Sequence, residues 1–141
     1  MKFSVFIDTN VFIFSFEYPE SNSRKIIDLL NEGEIEAIVC DTVVKEVIKY
    51  FERHHNLDLA RLFRRYLVGS CTIIPGYEVI DEMGKLRDKI KRKDLEQIST
   101  VKKYGLKYLV ACDRDFKDFE EYVTPKEFID ILGLKAYDVD Y

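Results

Sequence analysis

Residues 3–14 read F-S-V-F-I-D-T-N-V-F-I-F, and this stretch constrains the fold more than any other. Its first five residues are almost all apolar and are rich in aromatic and β-branched side chains. Such a run predicts a strand covered on both faces, as in a parallel sheet flanked by helices. Asp8-Thr9-Asn10 then interrupts the apolar run, which resumes at Val11. A carboxylate between two hydrophobic segments is costly to bury unless it is paired, hydrogen-bonded or bound to a cation. In open α/β sheets the crevice beyond the strand carboxyl ends is where ligands bind, and Asp8 falls at that edge. It is expected to be the first of several carboxylates that later strand–helix units bring there.

The strand signature recurs at Ile35–Cys40, Cys71–Ile74 and 107–111, and Tyr122-Val123 is a candidate edge strand. Helical patterns lie between them. Ser21 or Ser23 can cap a helix carrying Ile26, Ile27 and Leu30, with Gly33 as its stop. Asp41-Thr42 can cap one with Val43, Val44, Val47, Ile48 and Phe51 inward. Asn56 opens a third, with Leu59, Leu62, Phe63 and Tyr66 inward and Gly69 at its end. Val79, Met83, Leu86 and Ile90 space out a fourth, which is expected to end in the basic run 89–93. Asp94 and Gln97 have capping-box spacing for a fifth. Thr124-Pro125-Lys126-Glu127 is a further helix start with proline at the first position. The alternation predicts one domain over residues 1–141, a three-layer α/β/α arrangement with a mainly parallel sheet. The tail, 134–141, carries no readable signal.

Several function classes have no support. The six glycines are isolated, so neither a phosphate-binding loop nor a dinucleotide fingerprint is present. There is no G-x-S-x-G for a nucleophilic serine. Three widely spaced cysteines, Cys40, Cys71 and Cys112, suggest buried thiols in a reducing cytoplasm rather than a disulfide framework or a zinc site. His54 and His55 are adjacent and so cannot face one ligand together; solvated helix-end residues are expected. No run is long and apolar enough for a membrane span, and no leader-peptide layout opens the sequence. The net charge of -4 argues against coating nucleic acid by bulk charge. It leaves open an acidic centre screened by metal ions.

Asp8, Glu46, Asp94 and Asp113 each fall near a strand's carboxyl end or in a helix's first half. Each has an ordinary use on its own. Asp8, Asp94 and either Asp113 or Asp115 could be caps, and Glu46 could be a solvated helix residue. The topology, however, sends all four towards one crevice. Converging carboxylates repel severely without a cation, and an all-oxygen set suits Mg²⁺ or Mn²⁺ rather than zinc. Such a centre can activate a water and stabilise charge on a phosphodiester. Asn10 could orient a carboxylate or the water. Lys91 and Arg92, just before Asp94, and Arg114, beside Asp113, are candidate RNA phosphate contacts, the alternative being a solvated helix end.

F-I-D-T-N-V-F-I, the Glu46 helix, the Asp94 helix start and L-V-A-C-D-R-D-F resemble, in order and nearly end to end, the four motifs of PIN-domain nucleases, in particular the small VapC-like ribonucleases. The resemblance implies that Asp8, Glu46, Asp94 and Asp113 form an acidic tetrad binding Mg²⁺ or Mn²⁺. It makes Asn10 a polar helper and Asp115 a secondary acidic residue. It also implies RNA cleavage by a metal-activated water, a homodimer, and for many members a separately encoded antitoxin. Ala111 departs from the pattern, since a hydroxyl residue is common there, and Glu96-Gln97 stands where small or apolar residues are more usual. Phe12, Phe14 and Phe16 are expected to be exposed and to offer a partner surface. Two competing readings remain. One is a PIN-like module that holds RNA or protein without cleaving. The other is a haloacid-dehalogenase-like phosphatase, which needs a second aspartate where this chain has Asn10.

Overall fold

The computed structural model describes residues 3–141. Five strands form one all-parallel sheet: β1 (Phe3–Ile7), β2 (Ile35–Cys40), β3 (Cys71–Ile74), β4 (Leu109–Val110) and β5 (Tyr122–Val123). Their order is β3-β2-β1-β4-β5. Among the described residues seven helices flank the sheet: α1 (Thr9–Glu17), α2 (Asn22–Asn31), α3 (Asp41–His54), α4 (Leu57–Ser70), α5 (Ile80–Leu86), α6 (Arg92–Lys103) and α7 (Pro125–Ile131). The expected α/β architecture is therefore present, with a sheet that is wholly rather than mainly parallel.

The strand order explains the placement of the site. From β1 the chain steps outward to β2 and β3, then returns to the other side of β1 to lay down β4 and β5. The order thus reverses between β1 and β4, and the crevice at such a switch point opens beyond the two carboxyl ends. Register fixes the pairing, with Phe6 opposite Leu109 and Ile7 opposite Val110. The Asp8 N–H then donates to Val110 O at 3.0 Å. Residues just after β1 and just after β4 are neighbours for this reason.

Val5, Phe6 and Ile7 are fully buried in the sheet, as a two-sided strand requires. Val11, Phe12 and Ile13 continue the core on α1. Phe12 is fully buried, so the expectation of exposure fails for it: α1 is apolar almost all round and packs inside. Phe14 is half-buried, and only Phe16 reaches solvent.

Several local expectations are corrected. Cys40, not Asp41 or Thr42, occupies the cap position of α3, and the Asp41 carboxylate instead accepts from Gly76 N–H at 2.9 Å. Leu62 is exposed. The buried face of α4 centres on Ala60, Phe63 and Leu67, and at 100° per residue Leu62 lies roughly 130° away from it. Gly69 lies inside the last turn of α4, which runs through Ser70 directly into β3. The fourth helical pattern yields only the short α5, with Val79 buried in the 3₁₀ turn before it and Ile80 outside. The basic run therefore does not close that helix. Lys91 takes the cap position of α6, with Arg92 and Lys93 in its first turn. Asp94 is thus not a cap, and Gln97 is fully buried instead of reaching back. His55 is not merely solvated: its Nε2 lies 3.0 Å from Glu17 Oε2, and its ring packs on Phe16 and Phe51. Of the cysteines, Cys40 is buried, while Cys71 and Cys112 are half-buried free thiols whose pKa burial pushes up to about 12.

The caps at Ser21, Asn56 and Thr124 form as the sequence predicts, the last as a full capping box with Glu127. One buried side chain makes several bonds to the tail. Asn22 donates through Nδ2 to Tyr137 O and Val139 O, and its Oδ1 accepts from Tyr137 N–H. The Tyr141 ring then packs on Phe14 and Tyr18.

Candidate metal centre

Asp8 follows β1 and holds the cap position of α1, yet its side chain makes no capping bond. It is 7% exposed, and its Oδ1 is buried without a partner. Its pKa is pushed up to about 7, first by burial and then by the carboxylates of Glu46, Asp94 and Asp113. The Thr9 N–H offsets only part of this. Four acidic residues from four segments therefore share one electrostatic environment.

Asp94 arrives from the first turn of α6. Because the helix starts before it, at Arg92, the carboxylate is free to point into the crevice rather than back at its own backbone. It is 4% exposed, with Oδ2 lacking a hydrogen bond. Burial pushes its pKa up to about 6, aided by Asp113, Asp115 and Glu46 and opposed by the Lys93 ammonium. Asp113 follows β4, and its Oδ1 accepts from Asp115 N–H at 2.9 Å, which starts the 3₁₀ turn Arg114–Phe116. Carboxylate oxygens of Asp94, Asp113 and Asp115 lie within 4.8 Å of one another. Glu46, on the second turn of α3, is exposed at the rim and accepts from Thr9 Oγ1 at 2.7 Å.

The other residues singled out from the sequence are placed as follows. Asn10 is exposed, with no side-chain hydrogen bond to the acidic group among the described residues. Lys91 pairs with Asp115 at 3.3 Å. Arg114 pairs with Asp140 of the tail at 3.4 Å, and Arg92 lines a hollow against Ile80, Met83 and Leu95. Neither Arg114 nor Arg92 pairs with the acidic group.

Three contributors were missed in the sequence. Thr9 steadies Glu46; its place inside D-T-N was the available signal. Lys93 reaches three of the carboxylates, and its adjacency to Asp94 pointed that way. Glu96 sends its carboxylate to the Thr42 N–H at 2.7 Å, satisfying the amino end of α3. That explains a charged residue at this departure from the family pattern; no sequence signal identified the partner.

The donor set fits a hard divalent cation. It is all oxygen, it is partly buried, and two buried carboxylate oxygens are without hydrogen bonds, a costly state that a cation would relieve. Fold and site together describe an α/β protein with an acid-lined crevice at its switch point. Residues 5–122 match the PIN domain family, so the chain belongs to it.

Solved structures agree on the fold. A toxin–antitoxin complex from Klebsiella pneumoniae is similar with a TM-score of 0.68 at 19% identity, covering 86% of this chain and 97% of that one. VapBC2 from Rickettsia felis, solved on a DNA fragment from its promoter, gives 0.67 at 15% identity, covering 84% and 95%. Mycobacterium tuberculosis VapC20, a toxin that cleaves the sarcin–ricin loop, gives 0.62 at 12% identity, covering 81% and 93%. No curated protein matches the chain.

Proposed function

We propose that this protein is a divalent-metal-dependent endoribonuclease of the VapC-like kind. The observation that carries the reading is the pair of buried oxygens without a hydrogen bond, Asp8 Oδ1 and Asp94 Oδ2, in a crevice shared with Asp113 and Glu46. Asp8, Asp94 and Asp113 would hold Mg²⁺ or Mn²⁺, with Glu46 completing the tetrad at the rim and Asp115 as the outer acidic group. When bound, the cation supplies a Lewis acid that makes water a better nucleophile at neutral pH and offsets charge on the phosphodiester. The chain's own residues do the rest. Thr9 fixes the Glu46 carboxylate, which accepts a proton from the attacking water. Asn10, exposed beside Asp8, orients that water. Lys91, paired with Asp115, borders the acidic group, and Lys91, Arg92 and Arg114 contact RNA phosphates, which position the strand without reading its sequence.

The toxin–antitoxin complexes among the structural neighbours support a protein antitoxin as partner, and a homodimer and a cytoplasmic location belong to the same reading. No helix among the described residues is long and apolar enough to cross a membrane. The test is RNA degradation with and without metal. Wild type cleaves with Mn²⁺ or Mg²⁺, and EDTA or Asp8→Asn each stops it, with circular dichroism confirming that the variant is folded. Equal cleavage by Asp8→Asn and wild type refutes the assignment. Metal binding and RNA binding without any cleavage would favour the non-catalytic module.

A further inference from the structure

The acidic crevice already contains a cation supplied by the chain. Lys93 Nζ lies 3.2 Å from Asp113 Oδ2, 3.7 Å from Asp115 Oδ2 and 3.9 Å from Asp94 Oδ2. Lys91 is a weaker version, reaching Asp115 alone at 3.3 Å. The helix does not hold the Lys93 ammonium in place: Lys93 is in the first turn of α6, where the macrodipole disfavours positive charge. The carboxylates hold it.

We propose that Lys93 is a built-in counter-ion of this crevice that a divalent cation has to displace, so that this one side chain sets the affinity for metal. The inference rests on the metal-centre reading above and adds to it a residue outside the tetrad. The space is shared: Asp94 and Asp113, two of the residues that would hold the metal, converge with Asp115 within 4.8 Å, and the ammonium sits against all three. A divalent ion binds carboxylate oxygens at about 2.0–2.2 Å, so it would lie close to a positive charge that stayed where it is. Lys93 can leave. Its side chain is 59% exposed and turns on a flexible four-carbon stem. With the ion absent the ammonium limits the repulsion among the carboxylates; with the ion present it is redundant and repelled.

The test is isothermal titration of the full chain with MnCl₂ at low salt, comparing wild type, Lys93→Met, Lys93→Arg and Lys91→Met. Metal-free melting curves accompany it. Lys93→Met is expected to bind Mn²⁺ about two- to fivefold more tightly, the scale of a partly exposed ion network. It should also melt at a lower temperature without metal and recover that loss when metal is added. Lys93→Arg keeps the charge and should bind as wild type does; Lys91→Met should gain less than Lys93→Met. If wild type binds Mn²⁺ and Lys93→Met binds no more tightly, the counter-ion role is overturned and the metal centre stands. If Lys93→Arg gains as much as Lys93→Met, charge is not the cause and the proposal fails. If neither wild type nor Lys93→Met binds Mn²⁺, the metal-centre reading falls and the inference with it.

Discussion

Asp8→Asn should stabilise the metal-free protein at alkaline pH while it abolishes metal binding. The Asp8 pKa is raised from 3.8 to about 7 by burial and by its acidic neighbours. A raised carboxyl pKa means that the folded state holds its proton more tightly than the unfolded one. The associated stability is fully present below pH 3.8 and is lost as pH rises to 7 and above. Three pH units correspond to about 4 kcal/mol. Asparagine has no charge to bury and escapes this loss, but its amide, if left unsatisfied, costs about 1–3 kcal/mol. The net gain at pH 8 is therefore about 1–3 kcal/mol. The pH dependence is the sharper signature, because the cost of the amide does not vary with pH. Between pH 5 and pH 8, wild type should lose about 2–3 kcal/mol relative to Asp8→Asn. Urea melts in EDTA at pH 5, 6, 7 and 8 measure this. Mn²⁺ at pH 8 should then restore wild type by mass action and leave the variant unchanged. A stability difference that stays constant from pH 5 to pH 8 would refute the reasoning, since it would mean that Asp8 is not held in a buried, acidic environment.

Two further outcomes test the scaffold. Asn22→Ala removes three part-buried hydrogen bonds to the tail and should cost about 2–4 kcal/mol; hydrogen exchange at the Tyr137 amide should lose its protection, and retained protection would show that the tail is held by other contacts. Gly76→Ala places a methyl group onto Glu96 Oε1, forcing that carboxylate off the Thr42 N–H. The loss should approach that of a helix cap, about 0.5–2 kcal/mol, in a urea melt, and a neutral result would mean that Glu96 does not satisfy the α3 amino end.

Much of the fold was legible because its signals are local. The apolar run of β1, the caps at Ser21, Asn56 and Thr124, and the strand–helix alternation each reflect a backbone requirement met within a few residues. Legibility failed where a tertiary contact decides. Asp94 and Gln97 have capping-box spacing, but the helix starts three residues earlier and buries both, so the local motif lost to the crevice and the core. Phe12 was expected to be exposed; packing of the helix inside the domain made it core. Glu96 and Lys93 are charged helix residues whose partners lie 54 and 20 positions away in the chain, beyond the reach of any periodicity. The nearness of the segments that carry Asp8 and Asp113 was readable, since topology alone places the ends of β1 and β4 together.

Anomalous scattering from crystals grown with Mn²⁺ tests the central claim most directly. The account predicts a manganese peak bounded by carboxylate oxygens of Asp8, Asp94 and Asp113, with Lys93 Nζ moved away from them. An ordered, empty crevice at millimolar Mn²⁺, with the Lys93 ammonium still seated among the carboxylates, would contradict it.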